Sequence, residues 1–235
     1  MIVSLNEVAA VAQRATSGCG HAFGIAEEMG YAIRWLCERD LRGAEKLLHA
    51  LSRFQDTGIA LENRADGLHV CSTGDETPSP LILAPSIGDL FIAHRQMRTK
   101  ILVRELGHPL LLLPFISRAA SAGDVASISW TTVDGNPLVA NFNGDGCQIF
   151  AADPLALIQA RAGDITCRWE TLDADAPSLY TARQLEELRR ANIARGCKLN
   201  DSVWSKLQTL AHKTYVPVSE ASRLSGAGAG LTDND

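Results

Sequence analysis

Residues 125–151 read Val125-Ala126-Ser127-Ile128-Ser129-Trp130-Thr131-Thr132-Val133-Asp134-Gly135-Asn136-Pro137-Leu138-Val139-Ala140-Asn141-Phe142-Asn143-Gly144-Asp145-Gly146-Cys147-Gln148-Ile149-Phe150-Ala151. Two turn sequences, Val133–Asn136 and Asn143–Gly146, divide this stretch into Val125–Thr132, Leu138–Phe142 and Cys147–Ala151. Asp-Gly and Asn-Gly supply the positive φ angles that tight hairpins need, so the spacing predicts an antiparallel three-stranded meander. Further on, Ile165, Cys167 and Trp169 alternate with Thr166 and Arg168, the pattern of another half-buried strand. Ahead of the meander, Gly67–Ser72 and Pro80–Ala84 read as strands and Ile87–Gln96 as a helix carrying His94. Ile101–Val103 and Leu110–Leu113 are apolar runs too short to assign.

On either side of this region the period changes to that of helices. Ser4-x-x-Glu7 has the form of a capping box, and Leu5, Val8, Ala12 and Ala15 follow at helical spacing, with Gly18 as a left-handed stop. A second helix is expected from about Ile25 to Arg39, burying Met29, Ala32, Ile33 and Leu36. Asp40 is placed to cap a third helix lined by Ala44, Leu47, Leu48, Leu51 and Phe54. Asp153 caps a short helix beginning at Pro154. Ser178 or Thr181 starts a helix ending near Ile193, and Asp201 starts another ending near Lys213. Helices, then antiparallel strands, then helices predict an α+β fold: an N-terminal three-helix unit, a central mostly antiparallel sheet and C-terminal helices. The expectation is one domain over 1–235, with a helical unit at 1–55, the sheet at 56–177, and C-terminal helices and a glycine-rich ending at 178–235.

Composition narrows the function. The chain has 235 residues, a net charge of −5 and no cluster of Lys and Arg, which argues against nucleic acid. Leu110–Phe115 is the longest apolar run and far too short to span a bilayer. The first residues lack a basic segment followed by an apolar one, so a cytoplasmic protein is expected. The six cysteines (19, 37, 71, 147, 167 and 197) contain no C-x-x-C pair and the six histidines no H-E-x-x-H, so no structural metal is expected.

The densest chemistry along the chain is Ser17-Gly18-Cys19-Gly20-His21-Ala22-Phe23-Gly24-Ile25-Ala26-Glu27-Glu28. Free backbone N–H groups at a helix start attract anions. The glycine spacing, however, matches neither a dinucleotide fingerprint nor a P-loop, so no cofactor follows from it. Cys19 beside a helix start, with His21 two residues on, is a candidate nucleophile. On the helical wheel Glu27 faces solvent, whereas Glu28 lies at the edge of the buried stripe near Trp35 and Arg39, where proton transfer is more favourable. Glu28, Cys19 and His21 are therefore the catalytic candidates. Glu27, Ser222, Arg223 and Asp233 are candidate ligand contacts, the last three from the ending Ser219–Asp235. That ending is expected to dock near the Gly18–Gly24 turn.

The block Asn6-Glu7 … Gly24-Ile25-Ala26-Glu27-Glu28-Met29-Gly30 … Arg34-Trp35-Leu36, with Ser219–Asp235, resembles a bacterial family known only as domain of unknown function number 3726. The resemblance implies that both ends belong to the family's pattern; it assigns no chemistry. Over Val3–Leu51, the capped helix, the Ala-Glu-Glu helix and Asp40-Leu41-Arg42-Gly43 resemble the N-terminal helices of the malate/lactate dehydrogenases that lack a classical Rossmann fold. That family places its catalytic histidine shortly after this segment, followed by Gly; here Ala44-Glu45-Lys46-Leu47 follows and His49 precedes Ala50. The leading expectation is a protein of small-molecule metabolism using carboxylate acid/base chemistry on a small-molecule ligand. The alternatives are a non-catalytic partner subunit or homo-oligomer whose ends form an assembly surface, and a diverged oxidoreductase.

Overall fold

The computed structural model describes residues 1–53, 58–73, 78–120, 123–132, 134–144, 146–157 and 161–215. In chain order the elements are β1 (Ile2–Val3), α1 (Leu5–Gly18), α2 (Phe23–Glu38), α3 (Gly43–Arg53), β2 (Ile59–Arg64), β3 (Gly67–Ser72), α4 (Pro80–Ala93), β4 (Ile101–Val103) and β5 (Leu106–Gly107). There follow α5 (Leu113–Ala120), β6 (Val125–Thr132), β7 (Pro137–Asn143), β8 (Gly146–Ala151), β9 (Arg161–Arg168), β10 (Ser178–Tyr180), α6 (Ala182–Arg195), β11 (Cys197–Lys198) and α7 (Asp201–His212). Short 3-10 turns lie at Pro109–Leu112 and Pro154–Leu157. The fold is α+β.

The meander forms as its turns dictate: Ile128 pairs with Ala140, and Ala140 with Ile149, both antiparallel. Gly135 takes φ 83° and Gly144 φ 55°, the left-handed region that favours glycine. The sheet continues in the order β10-β8-β7-β6-β9-β4-β3-β2, with β5 also on β9; β3 and β4 run parallel, and the other pairs among the described residues run antiparallel. Along β8 the burial alternates strictly, with Cys147, Ile149 and Ala151 inward.

The helices correct several expectations. Pro80–Ala84 opens α4 instead of forming a strand. Ser79 caps it by accepting from the Leu81 N–H, Pro80 sits in the first turn, and Leu81, Leu83, Ala84, Ile87 and Phe91 are buried. A helix apolar on nearly every side has no polar stripe to reveal its period. Gly18 is helical and Cys19, at φ −91°, follows it as the cap; the left-handed turn falls on Gly20 at φ 94°. Ser4 accepts from the Glu7 N–H as expected. Asp40 does not cap α3: it takes φ 57° in a tight turn with Arg42 at φ 54°, and the helix starts at Gly43. A Cβ at Gly43 would lie 2.9 Å from both the Ile33 carbonyl and Leu36 Cβ, so glycine is what lets α3 seat against α2. Thr181 and Gln184 form a full capping box on α6.

The chain's two helical regions meet. β1 pairs with β11, the amino group of Met1 reaches Asp201 at 2.6 Å, and α1 packs on α2 and α7. One buried apolar cluster runs from Val3 to Ala211. No described helix is long and apolar enough to cross a membrane.

Candidate functional site

The titratable groups with the most disturbed surroundings among the non-cysteine residues converge where α3 meets the loop after β5. Ala44, Leu47 and Ala50 anchor α3 with no exposed surface. Helical spacing of three then sets Lys46 and His49 above one another on a neighbouring side of that helix. Across from them, His108 stands before Pro109 in a left-handed conformation, φ 43° and ψ 67°, which costs a non-glycine residue roughly 1 kcal/mol. His108 Nε2 lies 2.6 Å from His49 Nδ1, with the rings edge to face at 4.7 Å. Lys46 Nζ donates to the Leu157 carbonyl at 2.6 Å. That carbonyl is fixed by the 3-10 turn at Pro154–Leu157, whose start is held by Asp153 accepting from the Leu155 N–H at 2.8 Å, as the sequence predicts.

Burial sets the electrostatics. His108 is 4% exposed, and desolvation, with Lys46 and then His49 adding repulsion, pushes its pKa down to about 3. His49 is half-buried and lowered in the same sense by desolvation, with Arg53 and Lys46 as further causes. Lys46, 4% exposed, falls to about 8 through desolvation first and Arg42 second, while Glu45 opposes the fall. At neutral pH the site therefore holds one buried ammonium beside two neutral imidazoles joined by a single N–H···N bond. The two rings hold complementary tautomers: with the bridging proton on His108 the outer nitrogen of His49 is a donor, and with it on His49 that nitrogen is an acceptor, the change requiring one proton to leave His49 Nε2 and one to reach His108 Nδ1.

The sequence-predicted candidates are placed differently. Glu28 is half-buried and Glu27 exposed. Glu28 pairs with Arg118 of α5 at 3.0 Å rather than with Arg39. Arg39 lies 3.9 Å over the Trp35 ring and donates to the Trp35 carbonyl and to Glu38. Arg118 in turn lies over the Tyr31 and Phe115 rings at 5.1 and 5.3 Å, so Glu28 belongs to a clamp between α2 and α5. Cys19 is half-buried with its thiol pushed up by desolvation, against a smaller lowering by Lys213, which disfavours the thiolate. His21 is half-buried in the turn between α1 and α2. Glu28, Cys19 and His21 are thus neighbours in sequence, and none of them joins the Lys46–His49–His108 cluster. Ser222, Arg223 and Asp233, with the rest of Ser219–Asp235, lie outside the described residues. Among the described residues no three of His, Cys, Asp or Glu are grouped to hold a metal.

Residues 3–75 match the family model described as a protein of unknown function, DUF3726. The match takes in α1–α3 and the β2–β3 hairpin, and therefore Lys46 and His49; the Ser219–Asp235 block lies outside it. No curated protein matches the chain in sequence. Solved structures do match in fold. A dehydrogenase from Sinorhizobium meliloti superposes with a TM-score of 0.64 at 14% identity, over 90% of this chain and 99% of that one. Malate dehydrogenase from Entamoeba histolytica gives 0.65 at 9%, over 93% and 99%. Sulfolactate dehydrogenase from Methanocaldococcus jannaschii gives 0.62 at 9%, over 91% and 97%. At these identities the likeness is one of fold.

Sequence reasoning missed the pairing of His49 with His108. The Asp-Leu-Arg-Gly segment and the His108-Pro109 dipeptide were the available signals, but 59 residues separate the two histidines.

Proposed function

We propose that this protein binds a small organic acid at the Lys46–His49–His108 cluster and exchanges a proton with it through His49, with His108 as a positioning residue that selects the tautomer of His49. The observation that carries the reading is the 2.6 Å bond between a buried neutral imidazole and a half-buried one, beside a buried ammonium. A buried lysine charge opposes stability, and an anionic ligand would offset its desolvation. The neutral relay can either give or take a proton near pH 7, the requirement for general acid/base work. In this reading imidazole carries the acid/base role that the sequence assigns to a carboxylate.

A second reading, a diverged oxidoreductase, is favoured by the fold shared with malate and sulfolactate dehydrogenases. Hydride chemistry would require a nicotinamide cofactor beside the relay. None of the five described cavities is bordered by Lys46, His49 or His108, so neither the acid nor a dinucleotide has a described cavity at the relay. No hydride step is derived. The test is a thermal-shift series with 2-hydroxy and 2-oxo acids, alone and with reduced nicotinamide dinucleotides. A rise in Tm with an acid alone, lost in Lys46→Met, supports the first reading. Stabilisation only when dinucleotide is present, accompanied by its oxidation, selects the second. No shift with any acid in either condition overturns both.

A further inference from the structure

A cavity of about 510 Å³ opens where the start of α1, the middle of α2 and the end of α6 meet. Ser4 and Asn6 border it at α1, Arg34 on α2, and Ile193 and Arg195 on α6. Each wall is fixed by bonds of its own. Ser4 accepts from the Glu7 N–H at 3.2 Å as the α1 cap. Asn192 Nδ2 donates to the Cys37 and Glu38 carbonyls at 3.2 and 3.1 Å, which ties the end of α6 to the end of α2. β11 follows α6 at once and pairs with β1, whose Ile2 also borders the cavity.

The wall is cationic, and no described acidic residue borders it. Arg34 is held by two bonds: Nε meets Glu38 at 3.0 Å, and Nη1 donates to Asn6 Oδ1 at 2.6 Å. Glu38 does not neutralise it. That carboxylate, in a residue 8% exposed, is shared with Arg39 at 3.4 Å and Arg189 at 3.5 Å. Glu186 is divided in turn between Arg189 and Arg190. Two carboxylates thus serve four guanidiniums, in a chain whose net charge is −5. Arg195 adds a fifth cation, exposed and without an ionic partner among the described residues.

We propose that this cavity binds a phosphomonoester, with Arg34 and Arg195 as its charge contacts. The inference is independent of the organic-acid reading. At neutral pH a phosphate group carries about −1.5 to −2 charge on three acceptor oxygens, a match for two guanidinium forks. The Ser4 hydroxyl and the Asn6 amide add neutral donors. A carboxylate brings one charge and two oxygens and leaves part of this donor set unused. The rest of the volume takes the ester group. Ile2 and Ile193 border the same cavity at 70% and 50% exposure, so an apolar body attached to the phosphate would draw both from water.

Arg195 stands in the last turn of α6, where it also complements the dipole of that helix. That role needs neither a cavity nor a second cation, and it does not depend on ligand.

The experiment follows amide hydrogen exchange of the full-length chain at constant ionic strength, with phenyl phosphate as the probe and inorganic phosphate and benzoate as comparisons. Protection of residues 1–8 and 193–198 reads this cavity alone, apart from the Lys46 cluster. Phenyl phosphate should protect both segments with a Kd below about 1 mM, inorganic phosphate less tightly and benzoate least. Arg195→Gln alters an exposed side chain, and loss of its charge-assisted hydrogen bonds should weaken phenyl phosphate at least about tenfold. Absence of protection at these segments overturns the proposal, as does benzoate protecting them as well as phenyl phosphate. An Arg195→Gln titration matching the wild type would leave the arginine to its helix dipole and overturn it equally. The wild-type titrations decide the matter even if the variant fails to fold.

Discussion

The Gly18–Glu28 turn and the Lys46–His49–His108 cluster sit on successive helices and handle charge in opposite ways. In the turn the acids are exposed or matched: Glu27 faces water and Glu28 meets Arg118. In the cluster an ammonium and two imidazoles are drawn into low-dielectric surroundings, and both kinds of group lose proton affinity. The first arrangement fastens α2 to α5. The second holds groups at a cost to stability, and such a cost is characteristic of sites that bind or react. Crowding of chemical groups along the chain and crowding of desolvated groups in space thus single out different residues.

The comparison can be broken most forcefully by acid. His108 has a folded pKa near 3 against 6.5 for the free group, so the unfolded chain binds the extra proton throughout that interval. Stability should fall as pH drops from 6.5 towards 3, by on the order of 4 kcal/mol, and then level off. Urea titrations across this range should give a much flatter profile for His108→Asn. An unchanged profile would mean that His108 is not held neutral.

Next in size is Lys46→Met. Below pH 8 both folded and unfolded chains carry the Lys46 charge, so its burial costs a constant amount, at most about 3 kcal/mol before the Leu157 bond offsets part of it. The variant should be as stable as the wild type at pH 7, or more stable. Between pH 8 and 10.5 only the unfolded wild type keeps the proton, so wild-type stability should rise with pH while the variant's stays level. Chemical denaturation at pH 7 and 10 distinguishes these outcomes.

The smallest effects belong to the turn. Glu28→Gln removes one half-exposed ion pair and should cost about 0.5–1 kcal/mol in denaturant midpoints. Glu27→Gln should fall within about 0.5 kcal/mol of the wild type. A larger loss at Glu27 than at Glu28 would reverse the roles assigned to them.

Much of the sheet was legible because its information is local. Gly135 and Gly144 sit in two turns that fix three strands and their register. Thr181 and Ser4 likewise announce their helices through hydrogen bonds three residues away. Pro80–Ala84 misled because burial on nearly all sides erases the difference between a helix and a strand, although Ser79-Pro80 was a capping signal in plain view. The Lys46–His49–His108 cluster was the least legible part. Lys46 draws its meaning from a carbonyl 111 residues away and His49 from a ring 59 residues away. No spacing rule reaches that far, and a lysine in a helix usually faces water.

Strand β9 has one further consequence. It pairs with β6 on one flank and with β4 and β5 on the other, yet it follows all of them in the chain. Until residues 161–168 emerge during synthesis, the meander and the β2–β3–β4 group have no strand to join them. Each then presents an unpaired row of N–H and C=O groups above buried residues such as Ile128, Trp130, Ile101 and Val103. Such open edges template pairing with other nascent chains. The last strand into the middle of the sheet thus acts as its keystone, closing both open edges at once.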